Sequence, residues 1–180
     1  FKPDLIAITT ATNDFNYAQH IASLLRKLKV PIMAGGYHPT IAPLETIKKD
    51  CFDIICIGEG EYPLLEFVES LKKGEINYKI KNLWFKKEGK IIRNSLRPLI
   101  KNLDELPFPD REVYDYKKYL EWNRGTATFI TTRGCPYQCT YCLNHFFRKI
   151  YSGKDNYVRF RSVDNLLEEI KEIVKEYKPR

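Results

Sequence analysis

Three times between residues 4 and 74, the chain passes from a short apolar run to an amphipathic segment of helical period, and few folds accept that pattern. Asp4-Leu5-Ile6-Ala7-Ile8-Thr9 reads as a buried strand. Val30-Pro31-Ile32-Met33-Ala34 reads as a second, ended by Gly35-Gly36. Phe52-Asp53-Ile54-Ile55-Cys56-Ile57 reads as a third, ended by Gly58-Glu59-Gly60. Residues 14–29 carry Phe15, Ala18, Ile21, Ala22, Leu25 and Leu28 at helical spacing. A short helix is expected after Pro43. Leu64, Leu65, Val68 and Leu71 mark another, stopping at Gly74. Apolar strands alternating with helices imply a parallel sheet covered on both faces.

The pattern changes after residue 74. Asn82-Leu83-Trp84-Phe85 and Lys90-Ile91-Ile92-Arg93 flank Lys86-Lys87-Glu88-Gly89, which predicts a β-hairpin with glycine in its turn. Leu103-Asp104-Glu105-Leu106-Pro107-Phe108-Pro109-Asp110 reads as a connector, because its two prolines remove amide donors and fix the backbone. Residues 126–132 are rich in β-branched side chains and read as a strand running straight into Arg133-Gly134-Cys135. Ser162 is placed to cap a last helix with Leu166, Leu167, Ile170, Ile173, Val174 and Tyr177 on one face. The expected division is an α/β domain over 1–74, a linker with a hairpin over 75–124 and a second α/β piece over 125–180.

Composition narrows the function classes. No run approaches the ~18 apolar residues of a membrane span, and no secretory signal opens the chain. The net charge of +7 is spread along the sequence rather than gathered in a stripe, which argues for a solvated surface over a nucleic-acid face. Five cysteines, an odd number with three packed into eight residues, suit a metal site better than disulfides and point to a reducing, cytoplasmic setting.

Those three lie in Cys135-Pro136-Tyr137-Gln138-Cys139-Thr140-Tyr141-Cys142. Soft thiolates favour iron–sulfur clusters, zinc or copper(I) over hard cations. Three sulfurs can each hold one iron of a cubane and leave the fourth iron open. The alternative is a zinc site closed by His145 as fourth ligand. Cys56 lies in an apolar strand and reads as a small core residue, with Cys51 flanking it.

The Cys-x3-Cys-x2-Cys spacing, with Gly-Cys-Pro at its start and Tyr141 before its last cysteine, resembles the radical S-adenosylmethionine superfamily. The resemblance implies a 4Fe–4S cluster on Cys135, Cys139 and Cys142 and S-adenosylmethionine on the open iron, with Tyr141 near its adenine. It also implies a 5′-deoxyadenosyl radical that takes hydrogen from a small-molecule substrate, and an electron donor such as flavodoxin or ferredoxin. The chain assigns no proton-transfer or nucleophilic residue of its own.

Gly35-Gly36-Tyr37-His38-Pro39-Thr40 and Gly58-Glu59-Gly60-Glu61 follow successive strands, where open α/β sheets form their ligand crevice. Ahead of a radical-cofactor motif, they look like the cobalamin-binding domain of the B12-dependent radical enzymes, with Gly35, Gly36, Gly58, Glu59 and Gly60 lining the cofactor. The Asp-x-His-x-x-Gly signature of some cobalamin proteins is absent, and His38 reads as a crevice loop residue rather than a cobalt ligand. The implied fold is a partial flavodoxin-like (Rossmann-type) parallel sheet, then the hairpin and the first β/α unit of a radical enzyme barrel. A full barrel takes ~250 residues, so the piece is expected to be inactive alone. Its parent would do methyl transfer, ring formation or oxidation. The rival readings are a methylthiotransferase-type radical enzyme, which would carry a second cysteine triad, and a non-catalytic zinc module.

Overall fold

The computed structural model describes residues 2–151 and 157–180. Their contacts fall into two units, Phe1–Pro98 and Leu99–Arg180.

In the first unit a five-stranded sheet is ordered β1 (Ile6–Thr9), β2 (Ile32–Gly35), β3 (Ile54–Cys56), β4 (Leu83–Lys87), β5 (Lys90–Arg93). β1, β2 and β3 pair in parallel, in the register Ile6 with Ile32 and Met33 with Ile54. The hairpin forms as expected, closing on Glu88-Gly89, and its first strand pairs antiparallel with β3. It therefore extends the sheet of the first unit, whereas the sequence grouped it with the linker.

Period-two alternation splits the strands between two cores. On one face, Ile32, Ala34, Ile55 and Ile57 pack with Phe15 and Ala22 of α1 (Phe15–Leu25) and Ile47 of α3 (Pro43–Lys48). On the other, Met33, Ile54, Cys56, Leu83 and Phe85 pack with Phe67 of α4 (Glu61–Lys72). α1 buries Phe15, Ala18 and Ala22 of its expected face. α4 follows its predicted face in part: Leu71 packs against this core and Val68 is half-buried, but Leu64 and Leu65 are exposed while Pro63 and Phe67 are buried. The reason is geometric. Phe67 packs with Cys56 and Phe85, its ring centroid 5.9 Å from that of Phe85, and this contact sets which side of the helix turns inward. β1, predicted buried, is covered on one side only. It lies at the sheet edge, and Ala7 and Thr9 face outward. Residues 37–41, expected as loop, form a short helix, α2 (Tyr37–Ile41).

The second unit contains α5 (Tyr116–Trp122), β6 (Thr132–Arg133), α6 (Asn144–Ile150), β7 (Arg159–Phe160) and α7 (Val163–Tyr177). Of the strand expected over 126–132, only Thr132 joins a ladder, with β7. Residues 126–130 keep the strand's alternation, Ala127 and Phe129 turned in and Ile130 out, without joining a ladder among the described residues. Ser162 caps α7 as predicted, its hydroxyl accepting from the Asn165 amide at 3.1 Å. α7 buries Ile173, leaves Leu167 and Val174 exposed, and buries one charged residue that its apolar pattern hides, Glu169.

Glu169 is 1% exposed and meets two guanidiniums, Arg111 at 2.6 Å and Arg161. Arg111 also lies over the rings of Tyr116 and Phe129, at 5.4 and 5.6 Å. The triad ties the proline-rich connector to α7 and to the residue following β7. Burial pushes the Glu169 carboxyl up, but the hydrogen bonds from Arg111 and Arg161 outweigh it and hold the group below its usual range. A carboxyl depressed by folding stabilises above its unfolded pKa and loses that contribution as pH falls through the folded value. The second unit should therefore lose stability below about pH 4.5, the ordinary value for this group. Glu169→Ala should cost about 3–5 kcal/mol at neutral pH by leaving buried cations uncompensated. Urea titration followed by tyrosine near-UV circular dichroism checks both, and the variant should show a smaller acid-sensitive step.

Candidate functional site

Two places collect the residues that the sequence singled out. The first is the carboxyl end of the parallel strands. The Thr10 amide donates to the Gly35 carbonyl at 2.9 Å, and the His38 amide donates to the Thr10 carbonyl at 3.1 Å. The Thr40 hydroxyl donates to the Gly36 carbonyl at 2.7 Å and accepts from the Gly58 amide at 3.0 Å. Asn82, fully buried at positive φ, donates its side-chain amide to the Glu59 carbonyl at 2.9 Å. Its carbonyl accepts from the Ile57 amide, also at 2.9 Å. Gly35, Gly36, Gly58, Glu59 and Gly60 are thus brought into one set of stitched loops.

Gly36 has a reason of its own to be glycine. Its φ is 95°, and a Cβ there would stand 2.7 Å from Thr9 Oγ1 and 2.9 Å from the Thr10 carbonyl oxygen. Cys56 lies beneath Gly35 and Gly60, so side chains there would rest on its Cβ and Sγ. Burial pushes its thiol up to about 12, with Glu61 adding to the shift, which keeps it protonated. Burial raises Cys51 as well. Neither is placed to join a second cluster.

His38 is 5% exposed and stacks on Phe15, ring centroids 3.7 Å apart. Its Nδ1 lies 3.3 Å from Thr12 Oγ1, while its buried Nε2 has no hydrogen-bond partner among the described residues. Burial pushes its pKa down, so it is neutral at pH 7. A neutral imidazole with one unused nitrogen fits a site that takes a polar ligand. Sequence reasoning missed Thr40 and Asn82. Thr40 sits one turn after Gly36, and Asn82 immediately precedes the hairpin, where an asparagine at a turn was the available signal.

The second place is the loop from β6 to α6. Cys135 and Cys142 are partly exposed, Cys139 is exposed, and all three thiols are free. The Cys142 amide donates to the Cys139 carbonyl at 3.0 Å, and Arg148 Nη1 donates to the Pro136 carbonyl at 3.3 Å. Gly134 has φ 86°, and a Cβ there would collide with the Tyr157 carbonyl oxygen. Tyr141 is 92% exposed, its ring available to a flat partner. Among the described residues no group of three or more His, Cys, Asp or Glu stands close enough together to hold a metal ion. The donor chemistry still suits a soft centre: three reachable sulfurs on one short loop. Binding would draw them together, as metal binding and local folding usually couple.

Replacing Gly36 with alanine should destabilise the first unit by about 1–3 kcal/mol, the ordinary cost of a strained backbone position. Chemical denaturation compared with a Gly74→Ala control, where nothing lies near the added Cβ, separates the packing clash from the cost of positive φ alone.

Residues 1–68 match the B12 binding domain family. An uncharacterized methyltransferase of Pyrococcus horikoshii is 32% identical over 98% of this chain and 38% of its own length. The anaerobic magnesium-protoporphyrin IX monomethyl ester cyclase of Rubrivivax gelatinosus is 26% identical over 98% of the chain and 32% of its own. The chain thus spans 32–38% of the length of these relatives. The fold is that of OxsB, a cobalamin-dependent S-adenosylmethionine radical enzyme solved with aqua-cobalamin and S-adenosylmethionine bound. The TM-score is 0.76 at 24% identity, over 99% of this chain and 25% of that one. No described helix is long and apolar enough to cross a membrane. Residues 1–68 thus belong to the B12 binding domain family, and the relatives named above extend the similarity over nearly the whole chain.

Proposed function

We propose that this chain is the cofactor-holding part of an enzyme that uses cobalamin, a 4Fe–4S cluster and S-adenosylmethionine to modify a small-molecule substrate. The observation that carries the reading is the loop at Cys135, Cys139 and Cys142. It presents three free, solvent-reachable thiols in a chain whose first 68 residues match the B12 binding domain family. Cys135, Cys139 and Cys142 would hold the cluster, leaving one iron for the amino and carboxylate groups of S-adenosylmethionine. Tyr141 would lie along the adenine. Gly35, Gly36, Gly58, Glu59 and Gly60 would line the cobalamin, with His38 Nε2 offering it a hydrogen bond. When bound, this set would supply the one-electron chemistry needed to take hydrogen from a substrate.

The chain's own residues do the holding. Gly134 admits the sharp turn that starts the loop, and Arg148 fixes the Pro136 carbonyl behind it. The stitched loops of the first unit already pair the Thr10, His38, Ile57 and Gly58 amides, so a large ligand meets these groups satisfied. Methyl transfer, ring formation and oxidation all remain within reach of such a set. Methyl transfer has the support of the relative from Pyrococcus horikoshii, which is named as a methyltransferase.

Anaerobic reconstitution should load about four irons and four sulfides per chain. The reduced chain should give an electron paramagnetic resonance signal that S-adenosylmethionine alters. One zinc per chain, stable in air, would sink the reading. Aqua-cobalamin should co-elute with the chain on gel filtration. His38→Phe, which keeps the stack on Phe15 but removes Nε2, should weaken retention about tenfold, the worth of one hydrogen bond. Unchanged retention would remove His38 from the site.

A further inference from the structure

Asn144 stands two residues after the last cysteine and opens α6, where an asparagine would ordinarily cap the helix. It does not: the cap position is Leu143, and no side chain caps the helix. Instead, its amide nitrogen points to Cys142 Sγ at 3.5 Å. Its amide oxygen accepts from the Tyr157 hydroxyl at 3.0 Å. An amide has one donating end and one accepting end, and a thiolate only accepts. By donating to the oxygen, Tyr157 fixes which end of Asn144 faces the sulfur. The same tyrosine backs the start of the loop, since its carbonyl occupies the space beside Gly134. One residue therefore braces the cysteine loop at both ends, through its backbone at Gly134 and through Asn144 at Cys142.

We propose that Asn144, oriented by Tyr157, is a positioning residue that raises the reduction potential of the cluster by donating a hydrogen bond to the Cys142 sulfur. The inference rests on the cluster reading above. A donor at a ligating sulfur stabilises the more negative, reduced state of a cluster more than the oxidised one. The site is partly buried, where a single donor counts for more than it would in water.

The test is an anaerobic dithionite titration of the reconstituted chain, with the reduced fraction followed by electron paramagnetic resonance. Asn144→Leu, which removes the donor, should lower the ratio of reduced to oxidised cluster about tenfold at a fixed potential. For one electron that is a fall of about 59 mV. Tyr157→Phe, which frees the amide to turn, should give a smaller fall of the same sign. Arg148→Ala loosens the same loop without touching a sulfur and should leave the potential in place. An Asn144→Leu potential equal to that of the unaltered chain overturns the proposal. So does an equal fall in Arg148→Ala, which would make the effect loop disorder. So does failure of Asn144→Leu to take up iron while the unaltered chain does, since Asn144 would then be needed for assembly rather than tuning. A Tyr157→Phe chain at the unaltered potential, beside a fall in Asn144→Leu, removes the tyrosine's part. Failure of the unaltered chain to take up iron would overturn the cluster reading itself, a different result.

Discussion

Where a parallel ladder stops, its last amides and carbonyls still need partners, and the first unit is organised around meeting that need. β1, β2 and β3 end within a few residues of one another, and their trailing groups pair among themselves through Thr10, Thr40 and Asn82. The Thr40 hydroxyl satisfies a carbonyl from one loop and an amide from the next. Asn82 carries the arrangement into the hairpin, because its side-chain oxygen also accepts from the Arg97 amide at 2.7 Å. The result is a row of glycine-containing turns held by hydrogen bonds rather than by side-chain bulk. That is the surface a large, flat ligand can approach.

The strand–helix alternation was legible because burial on both faces leaves an unbroken apolar signature, as at Ile54, Ile55 and Cys56. The hairpin was legible from its turn, but its place in the sheet was not. Whether Leu83 and Phe85 pair with β3 depends on a partner more than twenty residues away, and local pattern does not carry that information. α4 illustrates another limit. Leu64 and Leu65 match the helical period as well as Phe67 does, and only the packing against Cys56 and Phe85 selects among them. Residues 126–130 show a third: their alternation is that of a strand, but a strand is also defined by its neighbour.

At the sites, the cysteines and glycines stood out because their chemistry or conformational freedom is rare. The residues that brace them did not. Asn144 is of an ordinary helix-capping type, and nothing in the local sequence singles out Tyr157. Their meaning appears only when the chain returns through β7 and sets Tyr157 against Gly134. Glu169 was hidden in the same way, as one acidic residue in a helix rich in them. Two arginines from distant segments explain why it is the buried one.

The contrast between the two groups of cysteines has a practical side. Cys56 is locked beneath Gly35 and Gly60 with its proton retained, and Cys51 is likewise enclosed, so both are poor targets for peroxide or alkylating reagents. Cys139 lies open, and its two companions are partly open. Oxidative injury to this chain would therefore fall on the loop first and leave the sheet intact. A damaged molecule would keep its shape in the first unit while losing its thiols in the second, and a thiol-directed dye would report on the loop alone.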